Sequence, residues 1–258
     1  MNIILLLSIL SVSGGQIDDF LHDIAPHLSY LVSGSEILPD SKPINTKGLS
    51  PFESPKIRLR RIKTRGDEGE PLIFGIEGIY SDYELGYYNY VLRTPAFNGY
   101  ISWQTRFLSP YLKLGVYWLK QGTGQSALGG LQPLASFGCN LRPKILSFLF
   151  FRFGYGTLSA IEYLPSDPYY NYHFKNFHTL NISLIGFKKI QAFTPFITLG
   201  LLPSYISGNY RNDAKGIEER FSNLILGWHL GLGFKIFFVK FNAELVNNRL
   251  SASTAFNL

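Results

Sequence analysis

Cysteine is almost missing from this sequence: Cys139 is the only one among 258 residues. A single thiol excludes an intrachain disulfide framework, and no cysteine follows the apolar start of the chain, where a lipoprotein anchor needs one. Charge is scarce too, at 16% of residues against the ~25% usual in soluble domains. Long apolar runs are absent: no window approaches the ~18 residues of a spanning helix, and mean hydropathy is only +0.06. Beyond Pro71 no helical period interrupts the chain, which excludes alternating strand–helix architecture. No G-x-S-x-G or H-x-S-N sequence occurs, so no familiar hydrolase signature is available.

What is present is aromatic. Phe and Tyr number 21 and 16, and aromatics make up 16% of the chain. The first residues, "MNIILLLSILSVSGGQ", carry an apolar core from Ile3 to Leu10. Ser13 and Gly15 then sit at −3 and −1 of a cleavage before Gln16, so residues 1–15 are expected to be a secretory signal peptide. Export with one cysteine fits a bacterial envelope better than a disulfide-stapled extracellular module.

Residues 17–33 place Ile17, Phe20, Leu21, Ile24, Leu28 and Leu31 at helical spacing, with Pro26 expected to kink or split the helix. His22 and His27, five apart, do not share a helix face and are expected to be solvated rather than metal ligands. From Gly34 to about Pro55 the chain is Pro/Ser/Lys-rich and reads as a linker. Residues 16–70 are thus expected to form a periplasmic or plug-like segment. Its basic run "KIRLRRIKTR" is followed at once by "GDEGE", which fits a solvated or anionic-lipid-facing segment better than a nucleic-acid site.

From Pro71 the period becomes two. In "NLILGWHLGLGFK", Leu224, Leu226, Trp228, Leu230, Leu232 and Phe234 fall on one parity. Asn223, Gly227, His229, Gly231, Gly233 and Lys235 fall on the other, with Ile225 the only large apolar residue among them. The same split recurs along ten segments, each near the ~9–11 residues that cross a bilayer when tilted. Long joints, such as 82–97 and 207–219, alternate with short ones. The fold expected for 71–258 is all-β: a transmembrane antiparallel up-and-down barrel of about ten strands, with eight as the lower count.

Alternation alone does not say which face is inside. A lipocalin-like secreted binder turns its apolar side to a cavity. Here the less apolar face is rich in glycine and small residues, as a crowded lumen requires. Aromatics (Tyr80, Tyr100, Tyr111, Trp118, Tyr155, Tyr205, Phe237) lie toward strand ends, where interfacial girdles form. The expectation is an inverted barrel, with lipid outside.

This pattern resembles the small outer-membrane β-barrel proteins of Gram-negative bacteria, broadly the OmpA- and OmpW-like group. The resemblance covers 71–258 and implies an outer-membrane location, contact with outer-membrane lipid and insertion by the barrel-assembly machinery. Such families usually end in an aromatic residue, whereas this chain ends at Leu258 with Phe256 two positions earlier. A monomer is expected, without nucleic acid, cofactor or metal.

Inward parity collects Glu77, Gln104, Arg106, Lys113, Asn140, Arg152, Asn181, Lys240, Asn242 and Glu244 as a lumen polar network. One reading is a narrow path for small anions. The other is an ion-pair network that plugs a bore only slightly wider than that of an eight-stranded barrel. The function expected is that of a membrane scaffold or narrow pore, not an enzyme. The enzymatic alternative is a barrel-embedded lipid hydrolase. His229 and Ser183 share a face with Asn181, but a lumen does not meet lipid esters. His178 and Ser222, on the lipid parity, are the better candidates for that chemistry.

Overall fold

The computed structural model describes residues 16–34, 37–38, 72–85, 90–104, 107–121, 128–143, 148–158, 161–165, 170–212 and 215–257. Among the described residues lie one helix, α1 (Gln16–Ser33), and eleven strand segments: β1 (Leu72–Leu85), β2 (Tyr90–Trp103), β3 (Leu108–Gln121), β4 (Leu128–Leu141), β5 (Leu149–Leu158), β6 (Ile161–Pro165), β7 (Tyr170–Phe187), β8 (Phe193–Asn212), β9 (Ile217–Ile236), β10 (Val239–Val246) and β11 (Arg249–Asn257). The signal-like residues 1–15 and the stretch 39–71 lie outside the described residues.

Each strand pairs antiparallel with the next in sequence except β5 with β6, β1 pairs with β11, and β5 pairs with β7. β6 continues β5 along the same partner, pairing with residues 171–174 of β7 where β5 pairs with 177–186. Ten strand positions therefore close into a barrel with no free edge. Register is pinned at the β10–β11 hairpin, where Asn247 and Asn248 both take positive φ (43° and 69°). That is the turn whose twist matches the strands it joins, and asparagine tolerates it.

The strict alternation of long and short joints is not what the fold contains. The sequences expected to be long loops run on as strand: β1 and β2 extend to Leu85 and Tyr90, and β8 and β9 to Asn212 and Ile217. Backbone pairing continues wherever two adjacent chains stay antiparallel, because an unpaired N–H gains nothing by leaving the ladder. Strand lengths diverge as a result. β8 and β9 have 20 residues each and β10 has eight. One end of the barrel, called here the loop end, carries the connections 86–89, 122–127, 166–169, 213–216 and 247–248; the other, the turn end, carries the remaining connections and the outer limits of β1 and β11.

The sheet is oily outside and polar inside. Trp103, Leu114, Phe137, Leu199, Leu232 and Phe241 are exposed, while Glu77, Lys113, Arg152, His229 and Glu244 are at most 1% exposed. Outward positions form an apolar surface around the barrel; no helix among the described residues is long and apolar enough to cross a membrane, which says nothing of strands. Tyr100 and Tyr111 correct one expectation. They do not join an outer girdle, because they share parity with Ser102 and Lys113, and both are buried in the lumen.

Candidate functional site

The lumen is filled by the chain's own N-terminal segment. α1 lies inside the barrel, with Leu21, Ile24, Ala25, Leu28, Tyr30, Leu31 and Val32 fully buried. Its 18 residues at 1.5 Å each give a length of roughly 27 Å, close to the ~30 Å of a bilayer's hydrocarbon core. The helix stays continuous through Pro26. The bond lost there is the one to the carbonyl of His22, at an exposed position. His27 overturns the expectation of a solvated side chain: it is fully buried, with Nδ1 3.5 Å from Ser81 Oγ on β1.

Around α1 the wall changes character with depth. Toward the loop end the inward residues are apolar: Ile79, Leu134, Leu158, Phe177, Leu202, Ile206, Ile225 and Val246 pack on Leu21, Ile24, Leu28 and Leu31 in one cluster. Ile225 was the lone large apolar residue on its polar parity; in the fold it belongs to the cluster that buries the helix. Asp23 reaches Arg249 of the β10–β11 hairpin at 3.7 Å, which places the N-terminal half of α1 at the loop end.

The middle layer is polar and charged. α1 stops at Gly34, whose φ of +62° is the left-handed cap that glycine adopts without strain. Its N–H donates to the Tyr30 carbonyl at 2.8 Å. Arg152 on β5 then closes the helix end. Its Nη2 donates to the Ser33 carbonyl at 2.6 Å, its Nη1 to the Gly34 carbonyl at 3.3 Å, and its Nε to Tyr111 Oη at 3.0 Å. A helix C-terminus carries unsatisfied carbonyls and a partial negative charge, so a fixed guanidinium there meets both needs. Beside it Lys113 Nζ pairs with Glu77 Oε2 at 3.0 Å, both fully or almost fully buried, and Asn98 Nδ2 donates to the same oxygen at 3.4 Å. A Cβ at position 34 would meet Glu77 Oε2 and Lys113 Nζ, the ends of two flexible side chains that would have to shift, so it is the left-handed φ that calls for glycine here.

Below this layer the chain leaves the helix and descends toward the turn end. Ile37 and Leu38 are buried; Asn140 Nδ2 donates to the Ile37 carbonyl at 3.2 Å and Gln104 Nε2 to the Leu38 carbonyl at 3.3 Å. Apolar collars close around each: Ile73, Tyr100, Tyr111 and Ala255 about Ile37, and Phe150, Ile185 and Phe196 about Leu38. Residues 34 and 37–38, expected as the start of a linker within a periplasmic or plug-like segment, lie inside the barrel.

Of the ten residues proposed for the lumen network, Arg106 lies outside the described residues. Glu77, Gln104, Lys113, Asn140 and Arg152 face the plug or its cap, as described above. Asn181, Asn242, Glu244 and Lys240 are buried on the β7 and β10 faces of the lumen. There Asn242 donates to Glu244 Oε1, and Glu244 Oε2 meets His229 Nδ1 at 2.6 Å. The pair offered for lipid hydrolysis does not come together: His178 Nδ1 meets Tyr155 Oη at 2.7 Å and stacks on Tyr205, while Ser222 donates to Tyr205 Oη at 3.1 Å. Cys139 is half-buried on the outward parity. Among the described residues no cluster of three or more His, Cys, Asp or Glu is placed to hold a metal ion.

Sequence reasoning missed Gly34, Tyr111 and His27. The signal for all three was the same one that Ile225 carried: apolar residues breaking the polar parity toward one end of the barrel, where something apolar had to fill the bore.

No protein-family model matches the chain, and no curated protein matches it. Among solved structures it is similar to the transport unit of the autotransporter AIDA-I from Escherichia coli, at 11% identity and a TM-score of 0.37, over 78% of this chain and 93% of that one.

Proposed function

We propose that the chain is an integral outer-membrane β-barrel protein that rests closed, its lumen sealed by α1 and by the strand-like residues that follow it. The observation that carries this reading is the cap at Arg152: a fully buried guanidinium spends its donors on two carbonyls of the plug. A charge in that position is stable only while those partners stay in place. The apolar exterior supports a lipid environment, because water-facing barrels do not present Leu, Phe and Trp on one parity all around. In hydrocarbon a closed sheet also leaves no backbone group unsatisfied.

On this reading the chain is exported by residues 1–15, inserted as a monomer by the barrel-assembly machinery and surrounded by outer-membrane lipid, as its resemblance to the OmpA- and OmpW-like group implies. The loop end would face outward. Its role is that of a scaffold or gated narrow pore whose closed state is the one described. Heat-modifiable migration after detergent extraction is expected, and solubility without detergent would overturn the membrane assignment. In planar bilayers the full chain is expected to be silent, and Leu28→Asp, which puts a charge into the apolar layer, to conduct. Open channels in the unaltered protein would sink the closed-state reading.

A further inference from the structure

The geometry points to a serine acyl-transfer centre inside the lumen, with Ser183 as nucleophile, His229 as base and Glu244 as its orienting acid. Ser183 Oγ lies 2.9 Å from His229 Nε2, and His229 Nδ1 lies 2.6 Å from Glu244 Oε2. At rest the single Ser183 hydroxyl proton is directed at Asn181 Oδ1; with the Nδ1 proton of His229 directed at the carboxylate, Nε2 becomes the acceptor when the hydroxyl rotates toward it. That is the functional definition of the nucleophile–base–acid relay on any fold.

The three residues come from β7, β9 and β10, and the strand between them makes the contact possible. Ser183 pairs with Gly200 of β8, and Gly200 pairs with His229. A Cβ at position 200 would collide with both His229 Nε2 and Ser183 Oγ. The imidazole therefore reaches the serine across a strand only because position 200 has no side chain.

Two further groups fit such a centre. Asn181, two residues along β7 on the same face, accepts a hydrogen bond from Ser183 through Oδ1, while its buried Nδ2 has no hydrogen-bond partner among the described residues. A buried amide donor beside a nucleophile is a candidate to hold a developing oxyanion. Arg152 is the Cα partner of Ser183 across β5–β7, which puts the two Cβ atoms about 5 Å apart. Its Nη atoms now hold the Ser33 and Gly34 carbonyl oxygens. The plug thus occupies with its own carbonyls the donors that a substrate carbonyl would use.

The substrate class that follows is a small carboxylic ester, admitted when α1 withdraws. Ser183 Oγ bonds to the ester carbonyl carbon as its proton passes to His229 Nε2. The C–O bond to the alcohol breaks, and the alcohol leaves with that proton. Water, deprotonated by the same nitrogen, then releases the acid and restores Ser183. This inference rests on the closed-plug reading for its gating but not for its chemistry.

The test is covalent labelling by diisopropyl fluorophosphate, in which the Oγ–P bond forms, the P–F bond breaks, and the serine proton leaves with fluoride by way of His229. The full chain, its Leu28→Asp variant, and Leu28→Asp combined with Ser183→Ala or His229→Gln are extracted in detergent, checked for heat-modifiable folding and analysed by peptide mass. Ile24→Ser replaces Leu28→Asp should the latter fail to fold. The result expected is little adduct in the unaltered chain, a Ser183 adduct in the plug variant, loss of that adduct with Ser183→Ala, and labelling slowed about a hundredfold with His229→Gln. Conductance is recorded on the same preparations. If the unaltered protein already conducts, the plug reading fails and the Ser183 adduct is expected without any variant. No Ser183 adduct in either folded protein overturns the proposal, whichever way the conductance goes.

Discussion

The loop-end half of the lumen and its middle layer hold the same helix by different physics. In the first, Ile79, Leu202, Ile206, Ile225 and Val246 bury Leu21, Ile24, Leu28 and Leu31. Each such side chain contributes about 1.5–3 kcal/mol by leaving water, but the contact is non-directional and would tolerate a helix shifted or rotated slightly. In the second, Arg152 holds the Ser33 and Gly34 carbonyls at 2.6 and 3.3 Å while Lys113 and Glu77 pair beside Gly34. Such contacts add little net stability once desolvation is counted, yet each works in only one position. The apolar half keeps the plug in; the charged layer sets its depth. An all-polar lumen would not retain a helix, and an all-apolar one would not fix where it stops.

That division is open to attack from both sides. Leu28→Asp strikes the apolar half, where Leu28 is fully buried in a cluster of apolar side chains. Burying an unpaired carboxylate is expected to cost at least about 5 kcal/mol, expelling α1 while the barrel stays folded. Protease cleavage within 16–34 together with unchanged heat-modifiable migration would show it; continued protection would mean the apolar packing is not what retains the plug. Lys113→Met strikes the charged layer by stranding Glu77. Removing one partner of a buried pair costs about 3–5 kcal/mol, read as a lower denaturant midpoint in vesicles. Adding Glu77→Gln should recover most of that loss, since a neutral pair has little desolvation to meet. If the double variant is as weak as the single one, the ion pair contributes more than register.

Gly34→Ala comes next in size. The left-handed φ of +62° costs a residue with a side chain about 1–2 kcal/mol, and the new methyl would press on Glu77 and Lys113. The expected outcome is a plug held by its apolar half but unseated at its end, seen as faster hydrogen exchange at Ser33 and Gly34 without loss of protection at Leu21 or Ile24. Uniform loss along α1 would mean the two layers are one cooperative unit.

The same two regions show what was legible in the amino-acid order. The strand parity of Glu77, Lys113, Arg152 and Trp228 follows from a period of two within each strand, so the inside-out sheet is legible in the sequence itself. The strand count followed as well, because each crossing needs its own alternating run. The plug was only half legible. The helical spacing of Leu21, Ile24, Leu28 and Leu31 was plain, but where the helix sits depends on contacts between residues more than a hundred positions apart, such as Arg152 with Ser33. Tyr100 and Tyr111 were placed outside because aromatic residues near strand ends suit an interface; their parity, the stronger signal, said otherwise. Parity alone gave Ser183 and His229 one face, but with Glu244 they lie on β7, β9 and β10 with β8 between, and no spacing shows that they meet. Only the closed sheet brings them within 3 Å.

The smallest effect expected separates the ends of α1 from its middle. Asp23 and Arg249 approach at 3.7 Å with side chains 48% and 26% exposed. At that exposure an ion pair is screened by solvent, holds two long side chains in one arrangement and is worth about 0–1 kcal/mol. Asp23→Asn should leave conductance silent and protease protection of Leu28 unchanged, with at most a small, salt-dependent rise in exchange near the helix start. That salt dependence is the useful part. Contacts in the charged layer are buried away from mobile ions and should not respond to ionic strength, whereas the Asp23 contact should weaken as salt is added. A plug whose overall retention falls steeply with salt would place its main anchor at the loop-end rim and reverse the roles assigned to the two layers.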